Sequence, residues 1–188
     1  VLTPTRRGDA GTRSLNFALQ AALNPPKPGK QERRFGELIF REGDRVMQTR
    51  NDYDVVWQKE DGTAGTGIFN GDVGKIAKID PGGELLEIIF DDRTATYTSD
   101  MLAELDMAYA MTVHKAQGSE YRGVVFVSAP CAPSLMVRGV LYTAITRARE
   151  LLVIVGDDSA VNKMAENDRR SRRYSGLKWR LRKGGEEK

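Results

Sequence analysis

Cysteine and histidine are almost missing from this 188-residue chain, which holds one of each, Cys131 and His114. A single thiol excludes a disulfide framework, and one thiol with one imidazole falls short of the ligands of an ordinary zinc site. Cysteine scarcity of this kind points to no redox habitat beyond a reducing, cytoplasmic one. Long apolar runs are lacking as well. None approaches the roughly 18 residues of a membrane-spanning helix, so neither a helical span nor a membrane partner is expected. Seven prolines and 19 glycines are too few for a collagenous or low-complexity chain. The first residues, Val1-Leu2-Thr3-Pro4-Thr5, carry no Met and no basic-then-apolar leader, and read as a strand entered mid-protein, as in part of a longer chain.

What is present suits a folded domain: 40% hydrophobic and 29% charged residues, with room for one core and a smaller inserted module. The formal charge is +3, unevenly spread. Residues 169–183 hold eight of the 29 basic residues and no acid, so the remaining 21 are outnumbered by 26 acids. Phosphate contact, with Tyr174 and Trp179 stacking on bases, is one reading of this tail. A solvated, poorly ordered segment is the plainer one.

Along the chain, a first strand and a turn-rich loop (residues 6–11) precede a helical stripe of Leu15, Ala18, Leu19, Ala22 and Leu23. Asn24-Pro25-Pro26 stops that helix. After a Pro/Gly/Lys-rich connection, short alternating segments at 46–49, 55–58, 73–79, 85–90 and 95–98, separated by turn signals, predict a small β-barrel. Past residue 105 the pattern changes again. Continuous apolar runs at 124–128 and 151–155 predict strands buried on both faces of a parallel sheet, with a crossover helix over 135–149 between them. The expected fold class is α/β: a parallel-sheet domain (1–40 and 105–165) interrupted by a small β-barrel insertion (41–104), then a basic tail (166–188).

Polar groups crowd one stretch, TVHKAQGSE at 112–120, just before a buried strand. Ligands collect at such strand ends in open α/β sheets, and a hydroxyl, an imidazole, an ammonium and an amide together suit a nucleic-acid backbone. Taken singly, Thr112 as a cap, His114 as a satisfied half-buried ring and Lys115 as a solvated cation are the plain readings. A second stretch, YTAITRAR at 142–149, ends a predicted helix with Arg147 and Arg149. About 200° separates them around a helix, so one alone faces a given cleft. A guanidinium there could stabilise charge on a transferring γ-phosphoryl group or merely complement the helix dipole.

Other motifs fail. Gly65-Thr-Gly67-Ile-Phe-Asn70 lacks a dinucleotide fingerprint's last glycine and reads as a hairpin, and neither Gly29-Lys30 nor Gly74-Lys75 sits in a P-loop. Nothing resembles a Walker-B acid, and a lone His without a nucleophile elbow makes a hydrolase triad improbable. Whatever uses a nucleotide here supplies half a site.

TVHKAQGSE at 112–120 resembles motif V, and YTAITRAR at 142–149 resembles motif VI, of superfamily-one DNA helicases. Residues 1–24 are similar to the motif IV region of RecD-like helicases, and GDRVMQTRNDY (43–53) with FNGDVG (69–74) to the start of their SH3-like insertion. The resemblance runs from Val1 to about Gly156. It implies the C-terminal half of an ATP-driven enzyme that moves 5′ to 3′ on single-stranded DNA in repair or recombination: a second RecA-like domain with an SH3-like β-barrel insertion. Carried over, Arg147 is the catalytic arginine on the γ-phosphate, with Gly118 and Glu120 at the nucleotide. Thr112, His114, Lys115 and Gln117 face DNA, joined by Asn70 and Asn51 from the insertion. Among Arg6, Arg7 and Arg13 the choice of a phosphate ligand stays open. ATP with Mg²⁺ would need the missing N-terminal RecA-like domain of the parent chain, so the fragment alone is expected to be inactive. Partners are single-stranded DNA, that domain and, as a further candidate, a nuclease complex. The alternatives are a conjugative relaxase-helicase motor and a non-catalytic single-strand DNA or protein-binding module.

Overall fold

A computed structural model describes residues 1–169, so the basic tail beyond them lies outside the described residues. In chain order the elements are β1 (Leu2–Thr3), α1 (Thr12–Leu23), β2 (Glu32–Phe35), β3 (Leu38–Arg41), β4 (Arg45–Gln48), β5 (Asp52–Gln58), β6 (Ala64–Ile68), β7 (Val73–Ile79), β8 (Leu85–Phe90) and β9 (Arg93–Thr98). A 3₁₀ turn (Met101–Glu104) follows, then β10 (Leu105–Met107), β11 (Met111–Thr112), β12 (Tyr121–Ser128), α2 (Arg138–Ile145), β13 (Ala148–Gly156) and α3 (Asp158–Glu166).

Four strands from the two ends of the sequence form one parallel sheet, ordered β11-β1-β12-β13. Leu2 pairs with Met111 on one side and Phe126 on the other. The two apolar runs become β12 and β13, in register from Val124↔Leu152 to Ser128↔Gly156, with α2 as their crossover. α2 and α3 lie on this sheet and bury Val124, Phe126, Val140, Leu141, Ala144 and Met164 with Leu2. Two expectations are corrected. The helix spans Arg138–Ile145 rather than 135–149, because Ala148 already pairs with Tyr121. The strands are not buried on both faces: Leu151 is 60% exposed, and Val125, Val153 and Val155 are exposed too. Side chains alternate across a strand, and among the described residues only the α2–α3 side has a covering layer.

The segment between β1 and β11 forms a second, antiparallel sheet, ordered β10-β4-β7-β8-β9-β5-β6. It encloses one core that includes Val46, Ile68, Ile76, Leu86, Ile88, Phe90 and Tyr97. Alternation read from sequence is realised in β8, whose exposed and buried residues alternate from Leu85 to Phe90. Its outer strands β10 and β6 do not pair with each other among the described residues, so hydrogen bonds do not close the expected barrel. Within FNGDVG, Gly74 is required by close approach, since a Cβ there would sit 2.8 Å from both Ile88 and Phe90. The stretch before residue 41, assigned by sequence to the first domain, contains the hairpin β2–β3, and Phe40 at its end is wholly buried in this second core.

α1 is the sharpest departure. It stops where Asn24-Pro25-Pro26 dictates, but its apolar stripe is not its buried face. Leu23 is 68% exposed, whereas Asn16, Gln20 and Asn24, one turn apart, are buried. Asn16 donates to Met107 O and Ala110 O and accepts from Ala110 N, clamping the chain as it leaves the second sheet. Gln20 and Asn24 each donate at 2.6 Å to the carboxylate of Asp44, which is fully buried. Arg41 N and Tyr109 Oη donate to it at 2.8 Å. Burial and the facing Asp44 carboxylate push the Tyr109 phenol's pKa upward, so it stays a donor. Polar satisfaction, not apolar area, fixes this helix: a buried carboxylate is tolerated only with its lone pairs filled.

Asp44→Ala takes one acceptor from Gln20 Nε2, Asn24 Nδ2, Arg41 N and the half-buried Tyr109 phenol, and is expected to cost roughly 3 kcal/mol of unfolding free energy in urea titrations. Exposed Asp54→Ala should stay within about 0.5 kcal/mol. A loss below about 1 kcal/mol at Asp44 would show that this carboxylate does not hold α1 in place.

Candidate functional site

The loop from Thr112 to Glu120 leaves the end of β11 and is fastened from inside. Val113 and Ala116 are buried, and Lys115 N and Ala116 N bond back to Thr112 O. Thr112 Oγ1 accepts from Lys115 N at 3.3 Å, so the hydroxyl braces the turn. His114, Gln117 and Gly118 face solvent. The plain reading of His114 as a satisfied half-buried ring is therefore corrected: the ring is exposed and has no hydrogen bond among the described residues. Lys115 is half-buried rather than solvated, and desolvation lowers its pKa, against a raising field from Asp106 and a lowering one from Arg6. Gly118 has φ +88° and open space around it, so backbone conformation rather than packing requires the glycine there.

Arg147 lies against this loop. It sits in the turn after α2, while Arg149 is in β13, so the helical 200° argument does not apply and both arginines reach the same segment. Arg147 Nη1 donates to Ser119 O at 3.0 Å, Nε to Thr143 O at 3.3 Å, and Nη2 approaches Thr146 Oγ1 at 3.4 Å. Arg147 O in turn accepts from Tyr121 N at 2.8 Å. Every side-chain partner is a neutral oxygen, and among the described residues no carboxylate pairs with this guanidinium. Glu120 differs: its carboxylate is held by Arg149 Nε at 2.6 Å, an exposed pair that a ligand hydroxyl would have to open. Half-buried, permanently charged and facing no anion, Arg147 suits a phosphoryl group.

The remaining candidates divide between two grooves that share the loop as their rim. One, of about 1060 Å³, has His114 and Gln117 facing Tyr142 and Thr143 of α2. The other, of about 940 Å³, has Lys115 and Asn70 together with Arg6, Arg7 and Arg13, between the parallel sheet's loops and the second sheet. Asn70 faces Lys115 across that groove, whereas Asn51 lines neither; its Oδ1 accepts from Asn70 N at 3.0 Å and braces the turn. The structure thus places Arg147 against Ser119, between Gly118 and Glu120 in the chain, and spreads His114, Gln117, Lys115 and Asn70 over two grooves, with Thr112 and Asn51 lining neither. Sequence reading missed Thr49 and Asp106 in the second groove. Neither belongs to a motif, and an isolated Asp in a three-residue strand carries no local signal.

The ATP-dependent RecD-like DNA helicase SH3 domain matches residues 15–90, and the UvrD-like helicase C-terminal domain matches residues 107–155. The chain is 38% identical over 172 residues to the ATP-dependent RecD2 DNA helicase of Deinococcus radiodurans, covering 92% of this chain and 22% of that protein. It is 29% identical to the RecBCD enzyme subunit RecD of Mycolicibacterium smegmatis, covering 98% of this chain and 29% of that one. The chain therefore spans less than a third of either relative. A crystal structure of Pif1 helicase from Bacteroides in complex with ADP-AlF3 and ssDNA superposes on 99% of the chain with TM-score 0.54 at 17% identity, a likeness of fold, and the chain covers 45% of it.

The Lys115 ammonium is expected to deprotonate below a free lysine side chain, because desolvation outweighs Asp106. Asp106→Asn, which deletes the raising field, should lower the midpoint further in an NMR titration of the side-chain methylene beside Nζ. A midpoint at or above the free value contradicts this environment.

Proposed function

The chain corresponds to the C-terminal region of a RecD-like superfamily-one helicase, and on that premise we propose that it is the second motor lobe of an ATP-dependent translocase on single-stranded DNA, moving 5′ to 3′. In this reading the lobe is the parallel sheet with α2 and α3, and the insertion reaches from the β2–β3 hairpin through β10, wider than the 41–104 read from sequence. The observation that carries this is the state of Arg147: half-buried, fixed by three neutral oxygens, and without a carboxylate partner among the described residues.

In this reading Arg147 meets the γ-phosphate of ATP held by the partner lobe of the parent chain, where its charge offsets the charge that develops during transfer. Gly118 lets the backbone turn beside it, and Glu120 exchanges Arg149 for a ribose hydroxyl. Mg²⁺ belongs to the partner lobe; no group of three or more acidic, His or Cys side chains suited to a metal occurs among the described residues. The link to DNA is short. Ser119 O, which holds Arg147 Nη1, is four residues from Lys115 and two from Gln117 on the same loop. Engagement of Arg147 therefore pulls on the segment that carries Thr112, His114, Lys115 and Gln117, which hold the DNA backbone with Asn70. Differential contacts of one loop with two ligands are what coupling requires.

In the full-length parent, Arg147→Ala should lower kcat for DNA-stimulated ATP hydrolysis by about 10³-fold or more, with single-strand affinity nearly unchanged. The 188-residue chain alone should show no ATP turnover, because charge stabilisation without the opposing site does little. Turnover by the purified chain that Arg147→Ala abolishes would overturn the division of labour between lobes.

A further inference from the structure

The second groove has an internal anion that the DNA reading does not use. Four cations line it, Arg6, Arg7, Arg13 and Lys115, with two acids, Glu37 and Asp106. Glu37 pairs with Arg13 on the exposed rim. Asp106 sits deeper, on β10, where its Oδ1 accepts from Met107 N at 2.9 Å and its Oδ2 lies 3.5 Å from Arg6 Nη2. Its field also reaches Lys115. One carboxylate thus pairs with a guanidinium from the loop after β1 and lines the same groove as an ammonium from the loop after β11.

We propose that Arg6 and Lys115 form a subsite for one backbone phosphate of single-stranded nucleic acid, and that Asp106 is a built-in competitor that occupies the subsite until a phosphate displaces it. The proposal rests on the DNA-track reading above and adds a control on it. The Arg6–Asp106 contact is long and the Arg6 side chain 70% exposed, so the pair is weak and readily exchanged. A phosphate presents more acceptor oxygens to a guanidinium and an ammonium than a carboxylate already bonded to its own backbone neighbour. Asp106 keeps the subsite from holding the strand too firmly, and a lobe that must let go of a phosphate at each step gains by that. It also distinguishes Arg6 from Arg7, which has no acid partner among the described residues, and from Arg13, which is tied to Glu37.

The test is fluorescence anisotropy of labelled oligo-dT with the 188-residue chain across a salt series. Asp106→Asn keeps the oxygen that serves Met107 N, and its fold is checked by thermal melting. It should bind roughly threefold to tenfold more tightly at low salt, and the slope of log affinity against log salt should steepen by about 0.7, one more single-strand phosphate neutralised. Glu87→Gln makes the same charge change in a groove of β5, β8 and β9 that shares no lining residue with this one, and should leave both quantities unchanged. In Arg6→Gln or Lys115→Gln backgrounds the gain from Asp106→Asn should vanish. Wild-type binding that is salt-dependent but indifferent to Asp106→Asn, or a gain that persists in both backgrounds or appears equally with Glu87→Gln, overturns the competitor while leaving the DNA track intact. No binding by any variant overturns both. Should Asp106→Asn melt early, Arg6→Gln against wild type decides: an unchanged salt slope refutes the subsite, and a shallower one supports it.

Discussion

A single buried negative charge holds the two sheets in register. Taking a carboxylate out of water costs several kcal/mol unless donors surround it, and Asp44 has four: two amides from α1, the backbone of Arg41 at the end of the hairpin, and the phenol of Tyr109. These donors come from the helix after the first strand, from the entry to the second sheet and from its exit. None of these segments can shift alone without stranding a partner. Arg41 reinforces the knot by pairing with Glu32 and donating to Asn24 O. The groove that contains Lys115 and Asp106 has α1 as one wall and β10 as another, so its width follows from this node.

The loop after β11 shows how a bracing role and a ligand-facing role coexist in one segment. Buried Val113 and Ala116 and the Thr112 brace give it a fixed floor, and that stiffness is what allows its exposed residues to keep a geometry. Preorganised groups of this sort bind without the ordering cost that mobile side chains incur. Arg147 is secured to the same loop through a backbone oxygen, so the side chains proposed for nucleotide and for DNA belong to one mechanical piece.

Parts of this architecture were legible in the sequence because they depend on periodicity. β7 and β8 begin and end where alternation and the turn signals place them, and the two apolar runs emerge as paired parallel strands. Arg147 and Gly118 were singled out by resemblance, and Arg147 Nη1 meets the backbone oxygen of Ser119, the residue after Gly118. The failures share a cause: tertiary hydrogen bonding overrode local preference. α1 shows an apolar stripe, yet its amide row is buried because Asp44 and two backbone carbonyls await those amides. The β2–β3 hairpin was hidden by its charged composition, Glu-Arg-Arg on one strand, in a stretch that reads as a connection. Residues 146–149 favour helix by composition, and pairing with β12 made them turn and strand instead. The counter-charge at Asp106 had no signature at all, since its meaning lies in what two distant loops bring beside it.

The position of β1 bears on the order in which the molecule assembles. This two-residue strand is central, and both its neighbours lie more than a hundred residues later in the chain. Closing so long a loop at random is slow, because its entropy is lost before any contact rewards it. The second sheet removes most of that loop: β10 returns antiparallel to β4, and Ala108 N meets Arg45 O at 2.8 Å, so the ends of the intervening segment are drawn together once it has folded. Three of the six pairings in the antiparallel sheet are sequential hairpins (β5–β6, β7–β8 and β8–β9), so this sheet is expected to form ahead of the parallel sheet that carries Arg147. A lesion in the antiparallel sheet is then expected to act first as a failure of the parallel sheet to assemble.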